Sequence, residues 1–179
     1  NFPEVISDFL GWCGDDPSFC TWGPSDLMEL QRNLAYHQLP IPFPFPFLYY
    51  DIQKIFSIVY EDRRTRRSLE FAVEFLKIPK DVAFHSALSD AHYTSEIMQH
   101  LTRTQIEQNS SVDYFHTPDN RRSEIHLSYA TYTKYISKPF VSKVQAMKDR
   151  IVVSLPCCTC GKNAVKEISA SVSSGLDKE

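Results

Sequence analysis

The sequence predicts an α/β fold in which a mixed sheet is flanked by helices. Short apolar segments typical of strands alternate with amphipathic segments of roughly 10–15 residues, which are typical of helices. Only two or three strand segments occur before the chain becomes polar and turn-rich at residues 109–124. We therefore predict one α/β domain over residues 1–108 and a mixed helical appendage with a mobile tail over residues 109–179.

The beginning of the domain is predicted to hold two helices around one strand. Apolar residues recur at nearly helical spacing over residues 3–12. Residues 18–22 are predicted to form a short buried strand that ends at a Gly-Pro pair. The next helix opens at Ser25 or Asp26 and continues to about residue 37.

Alternating prolines separate this helix from the second predicted strand. Residues 40–47 carry a proline at every second position, which excludes a helix and a central strand and predicts an extended loop or edge. A strand over residues 47–50 and a helix over residues 51–60 follow. Ser68 is a suitable N-cap for a further helix over residues 69–76.

The last predicted helix of the domain covers residues 87–101. In the appendage, residues 129–147 are predicted to be helical in part and residues 151–154 to form a short strand. We expect both tryptophans, Trp12 on a helix face and Trp22 on a strand, to pack in the core.

Composition and charge narrow the range of functions. A 42% hydrophobic fraction argues against wholesale disorder, and a net charge of −3 excludes a generally basic protein that coats nucleic acid. No apolar run approaches the ~18–20 residues of a membrane span, so no membrane partner is expected. The five cysteines do not form the pattern of a secreted disulfide framework, which predicts a reducing, cytoplasmic compartment.

The strongest chemical signal is a loop histidine five residues before an aspartate at a helix start. A carboxylate such as Asp90 binds hard cations, and an imidazole such as that of His85 accepts a proton from water at neutral pH. The alternative is an ordinary loop histidine and an aspartate stabilised by the helix macrodipole. Spacing alone favours this second explanation.

The surrounding sequence favours the first explanation, because two segments resemble known nuclease motifs. Residues 85–91 (His-Ser-Ala-Leu-Ser-Asp-Ala), together with the helix-forming residues 67–78, resemble the third motif of DEDDh-type 3′–5′ exonucleases. Residues 19–27 (Phe-Cys-Thr-Trp-Gly-Pro-Ser-Asp-Leu) resemble the second motif of the ERI-like and KapD-like branch of this RNase T-like superfamily. The resemblance covers residues 1–101.

The resemblance implies an RNase H-like exonuclease fold and removal of nucleotides from the 3′ ends of RNA or DNA, with single-stranded RNA favoured. Two Mg²⁺ or Mn²⁺ ions, ~3.5–4 Å apart, activate water and stabilise the leaving oxygen in such sites. By position, Asp26 matches the metal-binding carboxylate of the second motif and Asp90 that of the third. His85 matches the general base.

The sequence departs from the family in one respect. The first motif, an Asp-x-Glu on an opening strand, supplies two metal ligands, and no such strand motif occurs here. We therefore expect this chain to lack the first strands of the sheet and to hold only half a metal site. The alternative is a non-catalytic nucleic-acid-binding or regulatory module on an exonuclease fold.

Four arginines lie close to the proposed motifs in sequence. Guanidinium groups match phosphate oxygens, so these residues are candidates for phosphate binding. A solvated loop with salt bridges to neighbouring carboxylates is an equally good explanation. The four are Arg63, Arg64, Arg66 and Arg67.

A cysteine cluster near the end of the sequence suggests a further metal site. Cys157 and Cys160 form a Cys-x-x-Cys pair, which is half of a structural Zn²⁺ site. His116 or His126 could complete it. Reduced thiols are the alternative.

Overall fold

The computed structural model describes residues 1–113, 115–130, 132–154 and 160–162. The chain divides into two compact units, residues 1–116 and residues 117–179. The first unit holds the predicted α/β domain and continues beyond residue 108, because a strand at Ser111–Val112 belongs to its sheet.

The first elements of the chain confirm the prediction from its apolar periodicity. They are α1 (Phe2–Cys13), β1 (Cys20–Thr21) and α2 (Ser25–Tyr36). The side chain of Asn1 accepts a hydrogen bond from the Glu4 amide and the Glu4 side chain bonds back to Asn1, which closes a capping box at the start of α1.

The rest of the first unit contains four helices and two strands within the residues that the structure describes. The predicted strand after the prolines and the predicted helices around residues 51–60, 69–76 and 87–101 are confirmed, with ends that differ by one or two residues. The elements are β2 (Leu48–Asp51), α3 (Ile52–Tyr60), α4 (Leu69–Phe75), α5 (Ala87–Gln99), α6 (Arg103–Glu107) and β3 (Ser111–Val112).

The sheet of the first unit is mixed, as predicted, and has the strand order β1-β2-β3. β1 pairs with β2 in parallel, with Cys20 opposite Tyr50 and Thr21 opposite Asp51. β3 pairs with β2 in the antiparallel sense. Because α2 connects the two parallel strands, β1, α2 and β2 form one βαβ unit.

Two apolar clusters form the core of the first unit. The larger is built around α3, whose Ile52, Ile55 and Phe56 are fully buried, and it includes Tyr93 and Ile97 of α5. The smaller cluster consists of Leu27, Phe47 and Tyr49, with partly buried phenylalanines around them. These clusters hold α2 and α5 against the sheet.

The two tryptophans have different environments. Trp22 packs against the larger core cluster, with its ring centroid 6.1 Å from that of Phe56, as predicted. The prediction for Trp12 is wrong, because its side chain is 83% exposed. The buried face of α1 carries Ile6. Trp12 follows Ile6 by six positions, so its side chain points about 120° away from that of Ile6 around the helix axis.

Among its described residues, the second unit contains a two-stranded antiparallel hairpin and two short helices. These are β4 (Ile125–Ser128), β5 (Thr133–Ile136), α7 (Lys143–Ala146) and α8 (Arg150–Val153). The prediction for residues 129–147 is therefore correct only at α7. The predicted tail over residues 169–179 lies outside the described residues.

The predicted strand over residues 151–154 is wrong, because most of this segment belongs to α8. The side chain of Asp149 accepts hydrogen bonds from the amides of Ile151 and Val152 and so caps a helix start. Arg121 pairs with Asp149 and, with these amide bonds, lowers the pKa of its carboxyl group to about 2. This cap outweighs the strand preference of three consecutive β-branched residues.

Candidate active site

The candidate site lies where β1 leaves the sheet. Since β1 and β2 are parallel, their carboxyl ends meet at one edge, where Thr21 faces Asp51. α2 and α3 both begin at this edge, and α5 packs beside β1. The first residues of α2 and α3 therefore lie at the same edge of the sheet, which is the usual place for sites in open α/β sheets.

A tight turn at Gly23 connects β1 to α2. Gly23 has a φ of +94°, and the Thr21 hydroxyl donates to its carbonyl oxygen at 2.6 Å. A Cβ on Gly23 would lie 3.3 Å from the side-chain oxygen of Gln53. Both the backbone conformation and the close approach favour glycine, which explains the Trp-Gly-Pro sequence before α2.

Asp26 lies in the first turn of α2. The pKa of its carboxyl group is raised, first by partial desolvation and second by the negative charge of Asp90. The residue is exposed overall, so its desolvation is only partial. A helix start by itself would favour the charged form and lower the pKa.

His85 and Asp90 are held together by the start of α5. The Ser86 side chain caps the helix by accepting from the Ser89 amide at 3.1 Å. The His85 amide donates to Asp90 Oδ1 at 3.4 Å, and His85 has a φ of +73°. Its imidazole is exposed, and it forms no hydrogen bond with the described part of the chain.

The loop before His85 is fixed to α5 at a second point. The buried Tyr93 hydroxyl donates to the Val82 carbonyl at 2.7 Å and accepts from the Val82 amide at 3.1 Å. Phe84 stacks on the Tyr93 ring with a centroid separation of 4.5 Å. The loop is thus fixed to α5 both at Val82 and at the His85 amide.

Two of the residues that the nuclease motifs single out, Asp26 and Asp90, interact electrostatically, and the backbone amide of the third, His85, donates to Asp90. Asp90 acts electrostatically on Asp26 although the two are far apart in the sequence. Two carboxyl groups that repel each other are a suitable pair of ligands for a divalent cation, which relieves the repulsion.

Further carboxylates do not complete this pair in the described part of the chain. Nowhere among the described residues do three or more His, Cys, Asp or Glu side chains form a group able to hold a metal ion. Asp51 lies at the same sheet edge, but its side chain accepts from the Lys54 amide at 2.9 Å as the N-cap of α3. None of the described strands carries an Asp-x-Glu.

Residues 63–67, which carry the four arginines and are called the arginine loop below, are linked to the turn before α2 through Gln53. The Gln53 Nε2 donates to the Arg67 carbonyl at 2.8 Å, while the Gln53 Oε1 lies next to Gly23. Arg67 pairs with Glu61 at 2.7 Å and lies over the Phe71 ring, so the predicted salt-bridged loop is present at this arginine. The bridging role of Gln53 could not be predicted from the sequence.

The other three arginines are exposed on a loop shaped by Asp62. Its carboxylate accepts from the Arg64 and Thr65 amides and from the Thr65 hydroxyl, and these bonds lower its pKa to about 2. Arg66 donates to the Arg63 and Arg64 carbonyls. The guanidinium groups of Arg63 and Arg64 form no ion pair with the described residues.

The predicted zinc pair is only partly within the described residues. Cys160 is exposed and free, and Cys157 lies outside the described range. Structural Zn²⁺ at these cysteines stays a prediction.

None of the helices within the described residues is both long and apolar enough to span a bilayer. Comparison of the chain with protein-family models, with curated proteins and with solved structures found no match.

Proposed function

We propose that this chain forms part of a metal-dependent 3′–5′ exonuclease of the DEDDh type, on an RNase H-like fold. The supporting observation is the convergence of Asp26 and Asp90, whose charges interact, next to the loop that carries His85. The proposal includes two further carboxylates from an Asp-x-Glu strand outside this sequence. We also propose single-stranded RNA as the favoured substrate and the cytoplasm as the compartment.

In this proposal Asp26 and Asp90 hold Mg²⁺ or Mn²⁺ with the two further carboxylates. A bound ion would activate a water and would stabilise negative charge on the phosphate and the leaving oxygen. His85 accepts the proton of the attacking water, a task for which an exposed imidazole is suited at neutral pH. The Asp90 contact to the His85 amide fixes the loop without engaging the imidazole.

The arginine loop is the proposed phosphate-binding element. Gln53 connects its end to the turn before Asp26, and Arg63 and Arg64 have exposed guanidinium groups. We propose that the guanidinium groups of Arg63 and Arg64 bind the phosphates next to the scissile bond.

An exonuclease assay tests the proposal. The complete protein that contains these residues is mixed with 5′-labelled single-stranded RNA, with Mg²⁺ or with EDTA. We expect a ladder of products shortened from the 3′ end that requires Mg²⁺. Loss of a general base typically costs about 10²–10⁴-fold in rate, so His85→Ala should slow trimming by that factor, and Asp90→Asn should abolish it.

The matched control is Asp8→Asn, which removes an exposed carboxylate from α1 and should leave trimming unchanged. Trimming at the wild-type rate by both the His85 and the Asp90 variants would refute the mechanism.

A second candidate is a non-catalytic nucleic-acid-binding or regulatory module. It is favoured by the presence of only two converging carboxylates among the described residues. The coding sequence before residue 1 discriminates the two: a strand with Asp-x-Glu favours the enzyme, and its absence favours the module.

A further inference from the structure

The two units of the chain carry opposite net charges. Residues 1–116 contain nine Lys and Arg residues against sixteen Asp and Glu residues, which gives a net charge of −7. Residues 117–179 contain ten Lys and Arg residues against six Asp and Glu residues, which gives a net charge of +4. A charge asymmetry of this kind indicates that the basic part of a chain binds a polyanion, although the chain as a whole is acidic.

The cationic surplus of the second unit is concentrated in residues 121–150. This segment holds seven Lys and Arg residues and only two carboxylates, those of Glu124 and Asp149. Both carboxylates pair with Arg121, and their side chains are only 2% and 13% exposed. The negative charges of the segment are therefore largely withdrawn from the surface.

Four cations of the same segment remain on the surface. Each is exposed and forms no ion pair with the described residues. The four are Arg122, Lys143, Lys148 and Arg150. Because no carboxylate of the described residues neutralises them, their charges are available to the phosphates of a partner.

The guanidinium group of Arg121 places two of these cations next to the hairpin. Its Nη1 donates to the hydroxyl of Tyr135 in β5 at 3.4 Å, and the same guanidinium pairs with Asp149, the N-cap of α8. Arg122 follows Arg121 in the chain, and Arg150 follows Asp149. The backbone of both unpaired arginines therefore lies beside the β4–β5 hairpin.

Aromatic rings lie in cross-strand pairs along the hairpin. His126 is opposite Tyr135 in the register of the two strands, with ring centroids 4.6 Å apart. Tyr129 stacks on Tyr132 at the turn, with a centroid separation of 4.4 Å. His126 is exposed and the three tyrosines are only half-buried, so aromatic surface is open to a partner. Rings next to cations are the combination that binds single-stranded nucleic acid.

We propose that the second unit binds single-stranded nucleic acid through the cations of residues 121–150 and the rings of the β4–β5 hairpin. The exposed Lys and Arg side chains pair with phosphates, and the bases of the strand stack on the rings. A double helix fits less well, because its bases are stacked on one another and present no free faces. An acidic polypeptide or an anionic lipid surface meets the charge but brings no bases to the rings.

This binding site belongs to the second unit, whereas the candidate active site and the arginine loop belong to the first. The inference does not rest on the proposed nuclease activity, because binding is measured in EDTA, where metal-dependent hydrolysis does not occur.

The contribution of the cations is tested by the salt dependence of binding. Fluorescence anisotropy measures the affinity of the 179-residue chain for a short labelled oligouridine in EDTA. On a single strand, each neutralised phosphate contributes a slope of about −0.7 to the logarithm of the binding constant against the logarithm of the salt concentration. Arg122→Gln and Arg150→Gln should each make this slope shallower by about 0.7, whereas Lys77→Gln, at an exposed position of the first unit, should not. An unchanged slope in both arginine variants would overturn the proposal.

The contribution of the rings is tested with an abasic strand that has the same number of phosphates. Stacking of one base is worth about five- to 150-fold in affinity, so the abasic strand should bind at least about fivefold more weakly than oligouridine. His126→Ala should weaken the binding of oligouridine but not that of the abasic strand, a difference that a purely structural role does not produce. Equal affinities of the wild type for the two strands would contradict base stacking.

Two competitors distinguish other anionic partners. Poly-glutamate and phosphatidylserine vesicles are added at the same concentration of anionic groups as unlabelled oligouridine. We expect both to displace the labelled strand less effectively than oligouridine does. Equal or better displacement by either one would assign the surface to an acidic polypeptide or to a lipid surface and refute the proposal.

An amide NMR titration of the wild-type chain locates the bound strand without any substitution. With oligouridine in EDTA, we expect the amide signals of Arg122, His126, Tyr135 and Arg150 to shift. This result supports the proposal whether or not the chain trims RNA, so the failure of one proposal is distinguishable from the failure of the other. Shifts confined to residues 1–116 would assign binding to the first unit and overturn the inference.

Discussion

At Asp26 two influences of opposite sign act on one carboxyl group. The start of α2 favours the charged form, whereas partial desolvation and the charge of Asp90 disfavour it. The net effect raises the pKa above its ordinary value of 3.8. Ionisation therefore costs folding free energy: the contribution of Asp26 to stability is full below pH 3.8 and is lost as pH rises through the folded-state pKa.

The first prediction concerns this coupling. Asp90→Asn removes the nearby negative charge and should lower the pKa of Asp26, measured by NMR titration of its carboxyl carbon. For a partly exposed pair the corresponding free energy is small, about 0.2–1 kcal/mol. Asp8→Asn is the control and should not move the titration. An unchanged Asp26 titration in the Asp90 variant would show that the two carboxylates do not share a site.

The second prediction concerns the turn that places Asp26. Gly23→Ala should destabilise the protein by about 1–2 kcal/mol in urea unfolding, because a side chain is strained at a φ of +94° and meets Gln53. Gly11→Ala is the control: Gly11 lies within α1 with open space around it, so the change should stabilise by about 1 kcal/mol. Equal effects of the two changes would contradict the role of the turn.

At the scale of elements, α5 determines the position of the histidine loop. Its N-cap and Tyr93 bind the two ends of the segment that presents His85. The spacing of His85 and Asp90 indicated that a helix start joins them, and this is confirmed. The anchor at Tyr93 could not be predicted, because a buried tyrosine in a helix gives no sign of which backbone group it contacts.

The third prediction tests this anchor. Tyr93→Phe leaves both backbone polar groups of Val82 without their partner and should cost about 1–3 kcal/mol. The Val82 amide should also exchange with deuterium faster than in the wild type. The control Tyr36→Phe, at an 81% exposed position, should change neither quantity. An equally slow Val82 amide in both variants would contradict the anchoring role.

Elements with clear periodicity could be predicted, and elements set by single side chains could not. Residues 3–12 and 87–101 gave helices because apolar positions repeat over several turns. β5 and α8 were missed. At α8, the N-cap Asp149 stabilises a helix where the residue types favour a strand. The strand β5 forms by pairing with β4, and apolar periodicity does not reveal such a pairing.

At the scale of the whole first unit, the parallel pairing of β1 and β2 and the packing of α5 beside β1 bring the motifs together. Motif resemblance singled out Asp26, His85 and Asp90 as a site, which stays a prediction, and periodicity alone predicted neither the strand order nor the pairing with β3.

The most direct test of the central claim, that Asp26 and Asp90 share one divalent cation, is paramagnetic broadening by Mn²⁺ in an amide NMR spectrum of the 179-residue chain. Substoichiometric Mn²⁺ should broaden the amides of Asp26 and Asp90 together, along with that of His85. Asp90→Asn should reduce the broadening at Asp26. Broadening at only one of the two aspartates, or broadening at Asp26 that persists unchanged in Asp90→Asn, would contradict the claim.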